Sequence, residues 1–175
     1  MCRENRFIAM ADVLGFQNNF RNAGLEGLYG QYQSLLERVR NNARSNPLTD
    51  VSNGQPHDIS IDVEHVIFSD TILFWSPESL EHVLFFFLTI AGCIGNSIQL
   101  GMPLRVGIAY GDTVIDVENS IYIGQPIIDA HRLESSQNWI GAACHSSLQS
   151  SNIFQINRNS MNVVDYPQVP LRGGL

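Results

Sequence analysis

Twelve consecutive residues without a charge, Val83-Leu-Phe-Phe-Phe-Leu-Thr-Ile-Ala-Gly-Cys-Ile94, have to leave water somewhere in this 175-residue chain. A bilayer-spanning helix needs about 20 apolar residues, so the run reads as a buried helix and no membrane association is expected. Ser76-Pro77-Glu78 signals its start: a capping hydroxyl, a proline for the first helical position and an acid in the first turn. The helix is expected to run to about Gln99 and end near Gly101, with Pro103 beyond it.

The segments around it read as strands and helices of one domain covering 1–175. Arg6–Val13 and Leu104–Tyr110 have the length and apolar content of buried strands. Leu25 to about Arg44 is expected as a helix, with Leu25, Leu28, Tyr29, Tyr32, Leu35, Leu36 and Val39 at three- and four-residue steps. Ser45–Ser60 is the one clear loop. Ile61–Ser69 and Thr71–Trp75 flank Asp70 as a hairpin with the acid at its turn. A turn is expected at Gly111-Asp112, a strand at Ser120–Ile123, and a helix from Pro126 to about Ser135. Beyond these come a short strand around Trp139–Ala143, a short helix, and weak strand signals near Phe154 and Val163–Tyr166. Antiparallel strands with helices on one face make an α+β layer with a ferredoxin-like centre.

Composition narrows the chemistry. All ten basic side chains are Arg, so a P-loop, a lysine Schiff base and a protein kinase are excluded. A net charge of −7 argues against general nucleic-acid binding, which needs clustered positive charge. Three widely spaced cysteines, Cys2, Cys93 and Cys144, fit a reducing compartment. Met1–Asn5 is polar and the apolar run after it is short and contains Asp12, so no signal peptide is read and a cytoplasmic location is expected.

Two acids stand out. Asp12 lies within an apolar strand, and Asp70 at a hairpin tip between Phe68 and Ile72–Trp75. Acids in such surroundings are costly unless paired or bound to a cation. Two carboxylates with a backbone carbonyl suit Mg²⁺, which then holds substrate phosphates; each acid can equally be a turn or capping residue near a strand end.

Four segments in order across about residues 6–135 resemble the class III nucleotide cyclases. Ala11-Asp12-Val13-Leu14-Gly15-Phe16 is similar to that family's first motif, an Asp ending a strand before Gly-Phe, and Phe68-Ser69-Asp70-Thr71 to its second. Leu104-Arg105-Val106-Gly107-Ile108-Ala109-Tyr110-Gly111 looks like its basic and G-I-x-x-G strand, and Gly124 with Arg132-Leu133-Glu134 like its glycine and catalytic-arginine helix. The resemblance implies cyclisation of a nucleoside triphosphate. Asp12, Asp70 and the Val13 carbonyl would hold two divalent ions, Mg²⁺ or Mn²⁺. The backbone N–H groups of Leu14, Gly15 and Phe16 would cradle phosphate, and Arg132 would neutralise charge in the transition state. Arg132 can equally be a surface residue paired with Glu134 or Asp129. Arg105 is open between base or phosphate recognition and an ion pair.

The match departs from the family at the residues that orient and read the substrate. Ile128 stands where an Asn usually orients the ribose. Val66 and Ile121 occupy the base-selecting positions, and an apolar pair cannot make the hydrogen bonds that select adenine or guanine. In this the chain resembles the pyrimidine cyclases of bacterial anti-phage systems, known as Pycsar, which make cyclic UMP or cyclic CMP for a separate effector. The resemblance also implies a head-to-tail homodimer, with Asp12 and Asp70 from one chain and Arg132 from the other. Two further readings stay open: an adenylate or guanylate cyclase, and a catalytically silent domain that binds a nucleotide or protein. A palm-type polymerase or dinucleotide cyclase is a weaker one, since no G-G-D-E-F-like turn is present. The five histidines lack zinc spacing; only His131, beside Arg132, has a place near such a site.

Overall fold

The computed structural model describes residues 3–44, 48–50, 57–59, 61–166 and 169–172. β1 spans Arg3–Val13 and leads into α1, Phe16–Ala43. The expected loop Ser45–Ser60 falls partly outside the described residues, and within it β2 (Leu48–Asp50) pairs with β3 (His57–Ile59) as a separate ribbon. β4 (Glu64–Phe68) and β5 (Thr71–Pro77) form the expected hairpin. α2 (Leu80–Gln99), β6 (Leu104–Asp116), β7 (Ile121–Gly124), α3 (Gln125–Ser136) and β8 (Gly141–Cys144) follow. The chain then makes a 3₁₀ turn at Ser146–Ser150, α4 at Asn152–Asn157 and a second 3₁₀ turn at Arg158–Met161.

The main sheet has the order β4-β5-β1-β6-β7, antiparallel throughout, and β8 pairs parallel with β6. Successive side chains of a strand point to opposite faces, and β1 is apolar on both. Phe7, Ala9, Ala11 and Val13 join Ile72, Phe74, Leu104, Val106 and Ile108 under α1 and α2. Ile8 joins Leu73, Trp75 and Ala109 under Ala130 of α3. The α+β sheet with packed helices is therefore as expected, but the helices cover both faces rather than one. The reason is legible in β1, β5 and β6, which carry apolar residues at both alternations.

Several boundaries differ from the sequence reading. Ser76 and Pro77 finish β5, opposite Phe7 and Arg6, so α2 begins after Ser79. α2 has 20 residues and is long and apolar enough to cross a membrane by length and composition alone. Its Val83, Phe86, Phe87, Ile90 and Cys93 are instead buried on the sheet. α1 starts at Phe16 and breaks at Gly24, whose φ of 67° interrupts the helix one residue before the expected start. Phe16, Leu28, Tyr32, Leu35 and Val39 set α1 on the core, whereas Leu25 and Tyr29 are exposed although they share the three- and four-residue spacing. β6 runs straight through Gly111-Asp112 to Asp116, and the turn comes at 117–120. Phe154 is buried in α4, and Val163–Tyr166 forms no strand.

Gly107 fixes how closely α3 approaches β6. A Cβ there would sit 2.1 Å from the Ala130 carbonyl oxygen and 2.7 Å from the Glu134 nitrogen, both backbone atoms of α3. Gly107→Ala is therefore expected to destabilise by about 3 kcal/mol through overpacking. Gly95→Ala in α2, where nothing lies within 4 Å, should instead stabilise by about 0.5–1 kcal/mol. Urea denaturation of the two variants checks the contrast.

Candidate active site

The central strand ends where the site begins. Asp12 pairs across the sheet with Thr71 of β5 on one side and Arg105 of β6 on the other. The next two residues are tied to both neighbours: the Val13 N–H donates to the Asp70 carbonyl at 3.0 Å, and the Leu14 N–H to the Pro103 carbonyl at 2.9 Å. Gly15 then takes a left-handed conformation, φ 75° and ψ 11°, and starts α1. A side chain would strain that turn. The backbone just after Asp12 and the Asp70 turn are thus joined by one hydrogen bond.

The hairpin tip is held from a third direction. Ser69 carries a positive φ of 54°, which lets β4 reverse into β5 through Ser69-Asp70 alone. The Tyr32 hydroxyl donates to the Ser69 carbonyl, and the Tyr32 ring meets Phe16 edge-on at 5.5 Å. Phe16 therefore serves as a wedge that places Tyr32. Its Leu14 neighbour has its N–H committed to Pro103, so of the expected phosphate cradle Gly15 and Phe16 keep the accessible role.

Arg105 is 7% exposed, and its guanidinium is spent on the protein's own groups. Nε donates to Glu134 Oε1 at 2.5 Å, one terminal nitrogen to the Gln137 carbonyl at 3.3 Å, and the other to Asp12 Oδ2 at 3.4 Å. Of the two readings left open for Arg105, the structure holds the ion pair, with Glu134 and Asp12. Glu134 and Gln137 are buried partners that sequence inspection did not assign. Gln137 also donates from Nε2 to the Val106 carbonyl at 2.9 Å. Glu134 is buried on α3, and Gln137 is the extended residue just past its end, where no helical period places it.

Burial raises the Asp12 pKa most; Arg105 opposes this, and the nearby Asp70 charge raises it further. Burial likewise raises Glu134, against its hydrogen bond and ion pair with Arg105. His131 and Arg172 also lower the Asp12 pKa, so His131 does stand near the acids. Arg172 was not anticipated at all.

The remaining expected residues are placed as follows. Arg132 is exposed on α3 and has no ion pair with a described residue. The partners weighed for it are otherwise engaged: Glu134 by Arg105, and Asp129 by Gln125 at 2.8 Å. Arg132 precedes the sheet-facing Glu134 by two residues, about half a helical turn, so it points away from the acids of its own chain. Ile128 is exposed on the same helix. Val66 is half-buried in β4, in the cluster under α3. The Tyr122 ring meets Phe68 at 6.0 Å and Trp75 at 5.7 Å, which brings β7 over the hairpin carrying Val66 and Asp70. Ile121 sits beside Tyr122 on the opposite pleat and is 41% exposed, so Val66 and Ile121 do not share a face within one chain.

The donor set fits a hard divalent cation. Two carboxylates repel one another beside a backbone carbonyl, and such oxygens are what Mg²⁺ takes, with water or substrate oxygens completing its shell. Among the described residues no three His, Cys, Asp or Glu side chains converge, so substrate oxygens would have to contribute.

Folded-state pKa values above the ordinary 3.8 of Asp12 and 4.5 of Glu134 mean the folded chain binds protons more readily than the unfolded one. Stability from these two groups is fully present below about pH 4 and declines as pH rises through their folded pKa values. Asp12→Asn is expected to flatten that decline and raise the melting temperature at neutral pH by a few degrees. Thermal melts of both proteins across pH 4–8, at fixed ionic strength, check the sign.

No protein-family model matches the chain, and no curated protein matches it in sequence. Solved structures do. The chain is similar to the adenylyl cyclase CyaB from P. aeruginosa, at 13% identity over 90% of this chain and 82% of that one, with a TM-score of 0.65. It is similar to the guanylate cyclase domain of RhGC from Catenaria anguillulae, in complex with GTP, at 14% identity over 90% and 85%, with a TM-score of 0.66. A dimeric guanylyl cyclase domain of the RhoGC fusion protein from Blastocladiella emersonii matches at 13% identity over 91% and 86%, with a TM-score of 0.62. At these identities the likeness is one of architecture: the chain has the fold of class III adenylyl and guanylyl cyclase domains.

Proposed function

We propose that this chain is a metal-dependent nucleotide cyclase that converts a pyrimidine nucleoside triphosphate, UTP or CTP, to its 3′,5′-cyclic monophosphate and pyrophosphate. The observation that carries the proposal is the joining of Asp12 and Asp70 by the Val13–Asp70 hydrogen bond, at the strand end of a chain with the cyclase-domain fold.

Asp12, Asp70 and the Val13 carbonyl would hold two Mg²⁺ or Mn²⁺ ions, which supply charge neutralisation of the triphosphate and activation of the ribose 3′-hydroxyl. The protein's own work is positioning. Arg105 favours the charged form of Asp12 and fixes its direction, because Glu134 and Gln137 hold the guanidinium in place. Gly15 and Phe16 bring backbone N–H groups at the start of α1 close to where phosphate oxygens would lie. The 3′-oxygen attacks the α-phosphorus, the bond to the bridging oxygen of pyrophosphate breaks, and the hydroxyl proton leaves to solvent. Arg132 stabilises the charge that develops, as arginines do in phosphoryl transfer.

Arg132 points away from its own Asp12, so the proposal includes a homodimer in which each chain lends Arg132 to the other's acids. Apolar Val66 and Ile121 support a pyrimidine, since neither offers the donors or acceptors that read a purine edge. A cyclic pyrimidine nucleotide would serve as a second messenger for a separate effector in anti-phage defence. A second reading, a silent nucleotide-binding domain, is favoured by Ile128 at the ribose-orienting position and by the Arg105–Asp12 contact.

Incubation with each of the four NTPs and Mn²⁺, with products identified by mass spectrometry, separates the two. Cyclic UMP or cyclic CMP with pyrophosphate is expected. Asp70→Ala should reduce product below detection, and Arg132→Ala by on the order of 10³-fold. A dimeric sample that yields no cyclic nucleotide from any NTP would sink the enzyme. Nucleotide-dependent stabilisation that survives Asp70→Ala would then establish the silent domain.

A further inference from the structure

On the face of the sheet away from Asp12, the core is not closed. A cavity of about 490 Å³ opens between α2, β8 and the segment that follows α4. Its floor is Phe87, Ile90, Ile94, Ile108, Leu148 and Phe154. Protein interiors rarely leave voids larger than a water molecule, and 490 Å³ falls within the range of small-molecule sites.

The walls explain why the space does not collapse. Trp139 and Tyr166 stack with their planes 7° apart and centroids 5.9 Å apart at one side. The Trp139 ring is further fixed because its Nε1 donates to Gln137 Oε1. The incoming segment is tied down where the Asn138 N–H donates to the Pro170 carbonyl at 2.6 Å, and Gln137 bridges to Leu171. These bonds hold the far end of the roof to the residues just after α3, while Met161 and Val163 pack on the core at its near end, and the gap lies between the two anchors.

The chemistry of the lining narrows the occupant. Arg158 and Asp165, its only residues of opposite charge, pair with each other. His145 is engaged through Nδ1 by Ser147 at 3.0 Å. What remains for a ligand is mostly aliphatic and aromatic surface, with Cys144, Ser146, Gln149 and Asn162 as uncharged polar points at the wall. We propose that this cavity is a binding site for an uncharged, planar aromatic small molecule, seated on Phe87 and Phe154 beside Trp139. The site is independent of the cyclase reading, and its test requires no turnover.

The test uses the full chain and the neutral fluorophore N-phenyl-1-naphthylamine. Saturable binding at one probe per chain is expected, with emission sensitised by energy transfer from Trp139 and diminished in Trp139→Phe. Ala142→Leu fills the cavity from the β8 wall and Ile94→Trp from the α2 wall. Each should weaken binding by about tenfold or more without lowering the melting temperature. Two variants on opposite walls are used so that misfolding of one leaves the other to be read. Non-saturable binding to the unmodified chain, or unchanged affinity in a folded filled variant, would overturn the site.

Discussion

One buried arginine sets the geometry of the candidate site. Arg105 lies on β6 directly opposite Asp12, and it also meets Glu134 of α3 and the carbonyl of Gln137 just past that helix. A guanidinium with this little exposure is costly unless its donors are satisfied, and here three different groups satisfy it. The arrangement has a consequence for the sheet. α3 can reach Arg105 only by coming close to β6, and Gly107 is where it does so. Electrostatic pairing and close packing therefore select the same position for the helix that also carries Arg132.

The same interaction poises Asp12. Burial and Asp70 both push its pKa up, and Arg105 is the largest opposing influence. A cation placed beside Asp12 would favour its charged form in the same way as Arg105 does. Asp70 completes the pair through a turn that depends on Tyr32 and Val13, residues on two other elements. The site is therefore assembled from β1, the β4–β5 hairpin, α1 and β6, and loosening any of them would move one of the two acids.

Much of the fold was legible because strand and helix periods are strong where burial is strong. β1, the β4–β5 hairpin, α2 and α3 were readable from apolar runs, the acid at the turn and Pro126. The errors fall where a local signal was overridden. Gly111-Asp112 reads as a turn, yet pairing with Arg6 and Asn5 keeps it in the strand. Ser76-Pro77 reads as a cap, yet it pairs with β1 before the helix begins. Leu25 and Tyr29 carry the right period, yet Leu28 and Leu35, not they, meet the core. At the site, Asp12 and Asp70 were readable as misplaced charges. The partners of Arg105 were not, because contacts between residues 29 and 32 positions apart leave no local pattern.

The absence of lysine now has structural weight. The arginines near the acids divide into one that is buried and paired and others without an ion pair among the described residues, and Arg132 faces away from the acids of its own chain. On this account neither chain alone holds a complete site. Mixing Asp12→Ala chains with Arg132→Ala chains, each inactive by itself, and measuring cyclic nucleotide formation tests this most directly. Statistical reassortment leaves one intact site in each mixed dimer, so about a quarter of the unmodified activity should return. No recovery in a sample shown to contain mixed dimers would contradict a site shared between two copies.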